Sequence, residues 1–362
     1  MTFREKEIFN LIKDNPSISQ SEIANKLNIT RSSVAVHIAN LMKKGYLVGK
    51  GYILNDLPYI IGIGGANIDI QGLSSNKIKL YDSNPGKIQF SCGGVGRNIC
   101  ENLSRIGVLT KFITCVGDDF FGKKILSDCI NANIDMENSF IIKDANTSCY
   151  MSLIDSDGDM KAAISHMNIM KLLNTDKLIS KHGIINKANI IVIDSNLTED
   201  VIKYITDKYK DKIIFADAVS TKKAVKLKKF LHNIDTLKPN IYEAQIFSEM
   251  EIKTKEDLEE SAKAIINKGV KNLFISMGAN GVFYMNSDMN SKYYKPPKVN
   301  VVNATGAGDS MMAGLIYGRF KGLDIDSTIK FAMSMASYTI ENKDTINKSI
   351  SEDKVLNRMR GI

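Results

Sequence analysis

A run of small residues near the carboxyl terminus, Thr305-Gly306-Ala307-Gly308-Asp309, has the composition of a phosphate-binding turn. It lies between the β-branched run 299–302 and a segment with apolar residues at helical spacing, which predicts a strand, a turn and a helix. The first N–H groups of a helix lack intrahelical partners and therefore bind anions. Asp309 could then accept a proton from an attacking hydroxyl. A plain glycine turn capped by Asp309 is the alternative, because one Gly-x-Gly is weak evidence.

From residue 57 onward, apolar runs that predict strands alternate with amphipathic stretches that predict helices. This is the pattern of a doubly wound α/β domain with a mostly parallel sheet, whose ligands bind at the carboxyl ends of the strands. We expect five polar residues at those ends, and hence in one site: Asn67, Asp69, Asn240, Ser276 and Asn303. Turns stabilised by Asn and Asp would explain some of these positions equally well.

A glycine pair opens another predicted helix. Gly93 and Gly94 precede an apolar-periodic segment, and Asn98 lies in its first turn. Because glycine has no Cβ, a ligand could approach the backbone closely at this pair. We therefore expect Asn98 and the two glycines to line the same site.

Two elements in the second half of the chain could serve a nucleotide. Glu243 follows Asn240 by about one helical turn, and a carboxylate there could hold Mg²⁺ beside phosphates. A helix N-terminal Glu is also favoured by the helix dipole alone. The pattern Ser276-x-Gly278-x-x-Gly281 follows a predicted strand and could lie along the nucleotide or simply close a hairpin.

The composition of the 362-residue chain excludes several classes of protein. Hydrophobic residues make up 44% and charged residues 24%, as in ordinary globular proteins. The five cysteines form no C-x-x-C pair, which favours reduced thiols over a disulfide framework. No apolar run approaches the roughly 20 residues of a membrane helix, and residues 1–7 mix charges of both signs, unlike a signal peptide. We expect a cytoplasmic protein without membrane partners.

Residues 1–56 predict a winged helix-turn-helix. Three amphipathic segments with Ser and Thr caps are followed by a hairpin signal around residues 49–51. The third helix of such a module enters the major groove, which points to DNA contacts by Arg31, Ser32, Ser33 and His37, with Lys50 on the wing. Residues 1–54 carry eight basic and four acidic residues, a net charge of +4 within the whole-chain +8. A module for dimerisation or regulation remains the alternative.

Four motifs resemble those of the ribokinase/PfkB family of sugar and nucleoside kinases: Gly93-Gly94-x-x-x-Asn98, Asn240-x-x-Glu243, Ser276-x-Gly278-x-x-Gly281 and Thr305-Gly306-Ala307-Gly308-Asp309. The resemblance implies a ribokinase-like kinase domain over residues 57–362. It also implies a small β lid, roughly residues 70–92 and 146–166, that closes over the sugar. Relatives with a winged helix fused in front extend the resemblance to the whole chain.

The resemblance implies roles for individual residues. Asp309 would be the general base on a 5′-hydroxyl, and the N–H groups of Gly306, Ala307 and Gly308 would bind the transferred phosphoryl group. The nucleoside would be held by Asn67, Asp69, Gly93, Gly94 and Asn98. ATP would contact Asn240, Ser276, Gly278, Gly281 and Thr305, with Mg²⁺ on Glu243. Asn303 stands where the family often has an Asp that helps to bind a monovalent cation, so activation by K⁺ is in question.

Within the family, residues 66–69, 82–88 and 93–99 and the run Thr236-Leu237-Lys238-Pro239-Asn240 most resemble the members that act on pseudouridine. Phosphorylation of the 5′-hydroxyl of pseudouridine is the implied activity. Candidates for contact with the base, or for lid packing, are Lys87, Thr147, Met167 and Asn168.

Two alternatives stay open on the sequence. The same chemistry could act on another nucleoside, such as inosine, or on a sugar. Alternatively, the chain could be a nucleoside-responsive transcriptional regulator that binds operator DNA. A homodimer is expected in either case, because members of the family often pair through the lid and winged helices usually bind DNA as dimers.

Overall fold

The computed structural model describes residues 1–48 and 57–360 and divides into two units, Met1–Pro58 and Tyr59–Ile362. We describe each unit by itself. Lys50 and the second half of the predicted wing lie outside the described residues. Within the described ranges, no helix has the length and apolar character needed to cross a membrane.

Three helices form the first unit: α1 Phe3–Asp14, α2 Gln20–Leu27 and α3 Arg31–Lys43. The predicted capping residues are confirmed, since Ser19 forms a capping box with Glu22 and the Thr30 hydroxyl accepts from the N–H of Ser33. The helices enclose a small apolar core that includes Ile8, Ile12, Ile23, Val34 and Leu41. The side chain of Met42 on α3 lies outside this core and is 43% exposed.

An eight-stranded sheet with the order β14-β13-β12-β11-β10-β9-β1-β4 forms the centre of the second unit. In this sheet the neighbouring strands β12, β11, β10, β9, β1 and β4 are all parallel to one another. Strands β13 and β14 extend the sheet at one edge with antiparallel pairing. The predicted doubly wound, mostly parallel sheet is therefore confirmed. Its strands are β1 Ile60–Ile63, β4 Thr110–Ile113, β9 Ile190–Asp194, β10 Ile213–Asp217, β11 Thr236–Leu237, β12 Asn272–Ser276, β13 Val282–Asn286 and β14 Ser291–Tyr294.

Helices cover both faces of this sheet because its strands present apolar side chains on both sides. Ile61 and Ile191 belong to the core on one face, whereas Ile60 and Val192 belong to the core on the other. The first core packs against α6 Thr175–Ile179, α7 His182–Lys187, α8 Glu199–Lys208, α9 Thr221–Ala224, α10 Ile241–Ser248 and α11 Lys255–Ile266. The second packs against α4 Val95–Arg105, α12 Ala307–Lys321, α13 Ile325–Ile340 and α14 Glu352–Met359.

The predicted lid is confirmed as a separate four-stranded sheet with the order β3-β2-β7-β8. Its strands are β2 Asn67–Ser74, β3 Gly86–Gly93, β7 Cys149–Ile154 and β8 Met160–His166. A third core next to it includes Val116 of β5 Cys115–Gly117 and residues of α5 Phe120–Asn131. Strand β5 pairs in parallel with β6 Phe140–Ile142. Short 3₁₀ helices span Asn168–Leu172, Lys228–Asn233 and Gly278–Asn280.

Two strand predictions are wrong. Residues 299–302 form no strand; Val301 is 71% exposed, and the N–H groups of Val302 and Asn303 both donate to the carbonyl of Ile340. Asn67 and Asp69 do not end a core strand either, because β1 stops at Ile63 and these residues begin β2 of the lid. The chain leaves the central sheet through the small residues between the two strands.

Candidate active site

The glycine turn forms the N-terminus of α12, as predicted. Gly306 caps the helix with φ +82°, and a Cβ there would lie 2.3 Å from the carbonyl oxygen of Thr345. Both facts require glycine at this position. The N–H of Ala307 makes one long bond of 3.3 Å to the carbonyl of Ala304. The first turn of α12 therefore offers weakly engaged donors and the positive end of the helix dipole.

Asp309 lies in this first turn, with its carboxylate half-buried. Its Oδ2 accepts a hydrogen bond of 2.6 Å from Nδ2 of Asn98. Burial raises the pKa of Asp309, the nearby carboxylate of Asp217 raises it further, and the result is a pKa of about 7 despite the opposing effects of Asn98 and Lys238. Such a carboxyl group can take up and release a proton near neutral pH.

An ion pair that the sequence did not predict lies beside Asp309. Lys238 follows β11 and Asp217 ends β10; both are buried, and their charged groups are 3.4 Å apart. Burial lowers the pKa of Lys238, but Asp217, Glu243 and Asp309 outweigh it and hold the pKa above its usual value. The ammonium lies 3.5 Å from where a Cβ on Gly308 would be. A fixed positive charge thus stands next to the N-terminus of α12.

Asp194 is a second acid that the sequence did not predict. It ends β9, in register with Asp217 on β10, and it is fully buried. Its carboxylate accepts from the N–H groups of Gly65 and Gly96, at 2.9 and 2.8 Å. Asp194 thereby fixes the backbone just before β2 and just after β3, the two paired lid strands.

The lid end of the site contains the residues predicted to hold a sugar. Nδ2 of Asn67 donates to Oδ1 of Asp69 at 2.6 Å, and burial raises the pKa of Asp69 although Asn67 and Arg97 oppose it. A Cβ on Gly93 would lie 2.2 Å from the Asp69 carboxylate. Gly94 has φ +100° and caps α4. Asn67 and Asp69 lie at the start of β2, and Gly93 lies at the end of β3. These residues are therefore at the junction of the lid and the central sheet.

Asn240 and Glu243 form a capping box at the start of α10. The N–H of Asn240 donates to Oε2 of Glu243 and the N–H of Glu243 donates to Oδ1 of Asn240, both at 2.9 Å. Burial raises the pKa of Glu243, and the nearby Asp217 adds to this effect. The pair therefore stabilises the helix end, and one oxygen of the Glu243 carboxylate stays outside the capping box.

The loops predicted to line a nucleotide lie at the end of β12 and before α12. Ser276 donates to the carbonyl of Pro239, and the segment from Gly278 to Gly281 closes the β12–β13 hairpin. Thr305 is exposed in the loop before α12. In the same loop, the side chain of Asn303 donates to the carbonyl of Lys343 and accepts from the N–H of Thr305. That amide therefore orders the loop.

The four candidates for base contact lie in different surroundings. Lys87 is exposed on β3, Met167 is half-buried and Asn168 is exposed at a 3₁₀ helix. Thr147 is buried, and its hydroxyl accepts from the N–H of Gly117 and donates to Asp119. The Thr147 hydroxyl is thus engaged within the protein, by residues outside the lid strands.

In the first unit, the predicted recognition residues lie at the start of α3. Arg31 and Ser32 are exposed, while Ser33 and His37 are half-buried. The Ser32 hydroxyl is hydrogen-bonded to that of Thr30 at 2.9 Å. The N-terminal end of α3 thus presents Arg31 to solvent.

Comparison with known proteins identifies both units. The profile of pfkB family carbohydrate kinases matches residues 58–353, and that of winged helix-turn-helix DNA-binding domains matches residues 4–48. The chain therefore belongs to the PfkB family. It is a phosphotransferase with an alcohol group as acceptor, preceded by a winged helix-turn-helix domain.

Individual relatives cover between 84% and 98% of the chain. A pseudouridine kinase of Escherichia coli is 36% identical over 84% of this chain and 97% of its own length. A protein of the same organism described as an uncharacterized sugar kinase, YeiI, is 32% identical over 98% of both chains. Among solved structures, a protein from Clostridium perfringens described as a sugar kinase has a TM-score of 0.77 at 35% identity, over 85% of this chain and 97% of its own. Ribokinase of Arabidopsis thaliana, complexed with ribose and ATP, has a TM-score of 0.74 at 19% identity, over 84% and 99%, and shows the shared fold.

Proposed function

We propose that the protein transfers the γ-phosphoryl group of ATP to the 5′-hydroxyl of pseudouridine, giving pseudouridine 5′-phosphate. The observation that carries this proposal is the placement of Asp309, with a pKa of about 7, at the glycine-rich N-terminus of α12. The 36% identity to a pseudouridine kinase supports the choice of nucleoside. The exposed positions of Lys87 and Asn168 leave them available to contact the base.

In the proposed reaction, Asp309 takes the proton of the 5′-hydroxyl. The oxygen forms a bond to the γ-phosphorus as the bond from that phosphorus to the leaving ADP oxygen breaks. The first N–H groups of α12 (Gly306, Ala307 and Gly308) and the Lys238 ammonium stabilise the charge on the transferred group. Asp69, with Asn67 and the Gly93–Gly94 turn, positions the ribose.

Mg²⁺ fits the residues present, because it is commonly held by one or two carboxylates together with phosphate oxygens and water. Glu243 supplies a carboxylate with one oxygen outside the capping box, and no cluster of three or more ligand side chains occurs in residues 1–48 and 57–360. Bound there, Mg²⁺ would neutralise charge on the ATP phosphates. Nucleotide contacts are proposed for Asn240, Ser276, Gly278, Gly281 and Thr305, and a K⁺ contact for the Asn303 oxygen.

Activity should depend on pH through Asp309. The pKa of this carboxyl group lies above its usual value, so the group is protonated, and inactive as a base, at mildly acid pH. We expect kcat/KM for the nucleoside to rise with pH through about 7 and then level off, with a value at pH 6 about tenfold below the plateau. Initial rates at saturating MgATP measure this. A flat profile between pH 5.5 and 8 would contradict the assignment of Asp309 as base.

The substrate is tested by ATP consumption with Mg²⁺ against pseudouridine, uridine, inosine, adenosine, ribose and fructose. We expect kcat/KM for pseudouridine to exceed that for the others. Preference for inosine or a sugar would keep the chemistry and refute the substrate. Failure to use any of these acceptors, with ligand binding intact, would refute the proposed substrate and favour the nucleoside-sensing regulator.

A second function is proposed for residues 1–56, as a DNA-binding domain separate from residues 57–362. It is supported by the winged helix-turn-helix match and by the exposure of Arg31 at the start of α3. We expect Arg31→Ala to weaken binding of the full chain to double-stranded DNA by about tenfold at fixed salt. Lys13→Ala removes the same charge from the exposed end of α1 and is the control. Equal effects of both variants on DNA binding would contradict specific contact through α3. DNA binding that does not change on addition of nucleoside would exclude a sensing role.

We propose that the protein is a cytoplasmic homodimer. Its five cysteines are free thiols, as expected in a reducing compartment. One face of the lid exposes apolar side chains from neighbouring strands, namely Ile88, Phe90, Met151, Leu153 and Ile164. Burial of this face against a second copy would remove it from water. Sedimentation equilibrium of the full chain tests the assembly, and a monomer at micromolar concentration would refute it.

A further inference from the structure

Arg97 is a fully buried cation in the first turn of α4, one residue before Asn98. Its guanidinium donates to two carbonyl groups at the end of lid strand β3: Nε donates to Gly93 at 3.0 Å and Nη2 to Cys92 at 2.6 Å. Nη2 also donates to Oδ1 of Asn98 at 2.6 Å. One side chain thus joins the lid strand to the residue that contacts Asp309.

The contact with Arg97 determines which way the Asn98 amide faces. A guanidinium has donors only, so it must meet the amide oxygen of Asn98. The NH₂ group of Asn98 then points the other way, where it donates to Oδ2 of Asp309. In the opposite orientation, the amide oxygen would face the Asp309 carboxylate and repel it.

The charge of Arg97 is compensated on the side away from the site. Glu101, one turn further along α4 and also buried, accepts from Arg97 and from Arg105. Arg105 contacts neither the lid strand nor Asn98 in the hydrogen bonds of the described residues. The two arginines therefore share one carboxylate, but only Arg97 reaches the site.

We propose that Arg97 is a positioning residue: it ties the end of lid strand β3 to the orientation of the Asn98 amide, and through that amide it orients Asp309. The proposal rests on the proposed role of Asp309 as general base. Movement of β3 on lid closure is thereby transmitted to the base by three consecutive hydrogen bonds: from Arg97 to β3, from Arg97 to Asn98, and from Asn98 to Asp309. The other charged groups that act on Asp309 are Lys238, Asp217 and Asp194.

The test measures the pKa of Asp309 in the full chain from the ¹³C resonance of its carboxyl group, which Asp309→Asn identifies by its disappearance. Arg97→Met and Asn98→Ala should each raise this pKa by about one pH unit, the size expected for loss of one hydrogen bond to a charged group. The double variant should add no further shift, because both substitutions remove the same contact. Arg97→Met leaves Glu101 paired with Arg105, which favours folding.

Two further variants separate orientation from charge. Arg97→Lys keeps the positive charge but loses the planar, forked set of guanidinium N–H donors. It should therefore raise the pKa of Asp309 as Arg97→Met does. Arg105→Met breaks the other bond to Glu101 and should leave the Asp309 pKa unchanged. In turnover, Arg97→Met should lower kcat/KM at pH 6.5 by up to about tenfold and have an effect below about threefold at pH 9.

The outcomes distinguish this inference from the proposed function. Additive shifts in the double variant, or a wild-type pKa in Arg97→Met, would overturn the positioning role. A wild-type pKa in Arg97→Lys would show that the forked contact with β3 and Asn98 is not needed, and would also overturn it. If the shifts appear as expected but no nucleoside is phosphorylated, the contact network stands and the proposed function fails.

Discussion

Replacement of Asp309 by Asn should reduce kcat for the nucleoside by about 10³- to 10⁴-fold, because removal of a positioned general base commonly costs up to this much. Asn is isosteric and can still accept from Nδ2 of Asn98, so the first turn of α12 should keep its geometry. The affinity for ATP, measured by calorimetry, should stay within about threefold, because the loss concerns proton transfer rather than binding.

Two results would contradict this account of Asp309. Retention of more than a tenth of wild-type kcat would show that another group takes the proton. A weaker affinity for ATP together with a lower unfolding temperature would show that Asp309 has a structural role. The pH profile is an independent check, because any residual activity of the variant should not fall as the pH is lowered through about 7.

Replacement of Lys238 by Met should have the second largest effect, a decrease in kcat of about 10²- to 10³-fold. The variant loses a fixed positive charge beside Gly308, and it also loses a cation that lowers the pKa of Asp309. The acid limb of the pH profile should therefore move to higher pH. Steady-state rates between pH 6 and 9 measure both effects.

Stability must be separated from catalysis for this variant. Loss of one partner of a buried ion pair costs about 3–5 kcal/mol in the free energy of unfolding, and Lys238→Met leaves Asp217 unpaired. The double variant Lys238→Met, Asp217→Asn removes both charges; it should recover most of the stability but not the activity. Lys223→Met is a control for loss of a lysine charge, because Lys223 donates to Asn196 and is not among the groups with the largest effects on the pKa of Asp309. Recovery of kcat in the double variant would contradict a catalytic role for Lys238.

Local sequence signals predicted the parts of the fold that local chemistry determines. The caps at Ser19 and Thr30 and the helix after Gly306 follow from side-chain and backbone hydrogen bonding over three or four residues. The period of the apolar residues was sufficient to predict the doubly wound sheet. The order of its strands, however, comes from pairing between distant segments, which no short window contains.

The strand predicted at residues 299–302 failed for the same reason. Val301 and Val302 are β-branched and favour extended backbone, but a strand also needs a partner edge. The edge beyond β13 is taken by β14, and the segment passes the end of α13 at Ile340 instead.

Asp194, Asp217 and Lys238 were missed because each looks unremarkable in its own segment. Asp194 and Asp217 are single acids after apolar runs. Lys238 lies two residues before Asn240, where the Asn-x-x-Glu motif begins, and is not part of that motif. They become a charged cluster only because β9, β10 and β11 are parallel neighbours. Polar residues directly after consecutive apolar runs are the signal that could have identified them.

The central claim is the transfer of phosphate to the 5′-oxygen of pseudouridine, and the most direct test identifies the product. The full chain is incubated with ATP, Mg²⁺ and pseudouridine, and the product is examined by proton-coupled ³¹P nuclear magnetic resonance. We predict one new phosphomonoester signal coupled to the two 5′ protons, formed in equal amount with ADP and absent with Asp309→Asn. A phosphate on another hydroxyl, or ADP formed without a nucleotide product, would contradict the account.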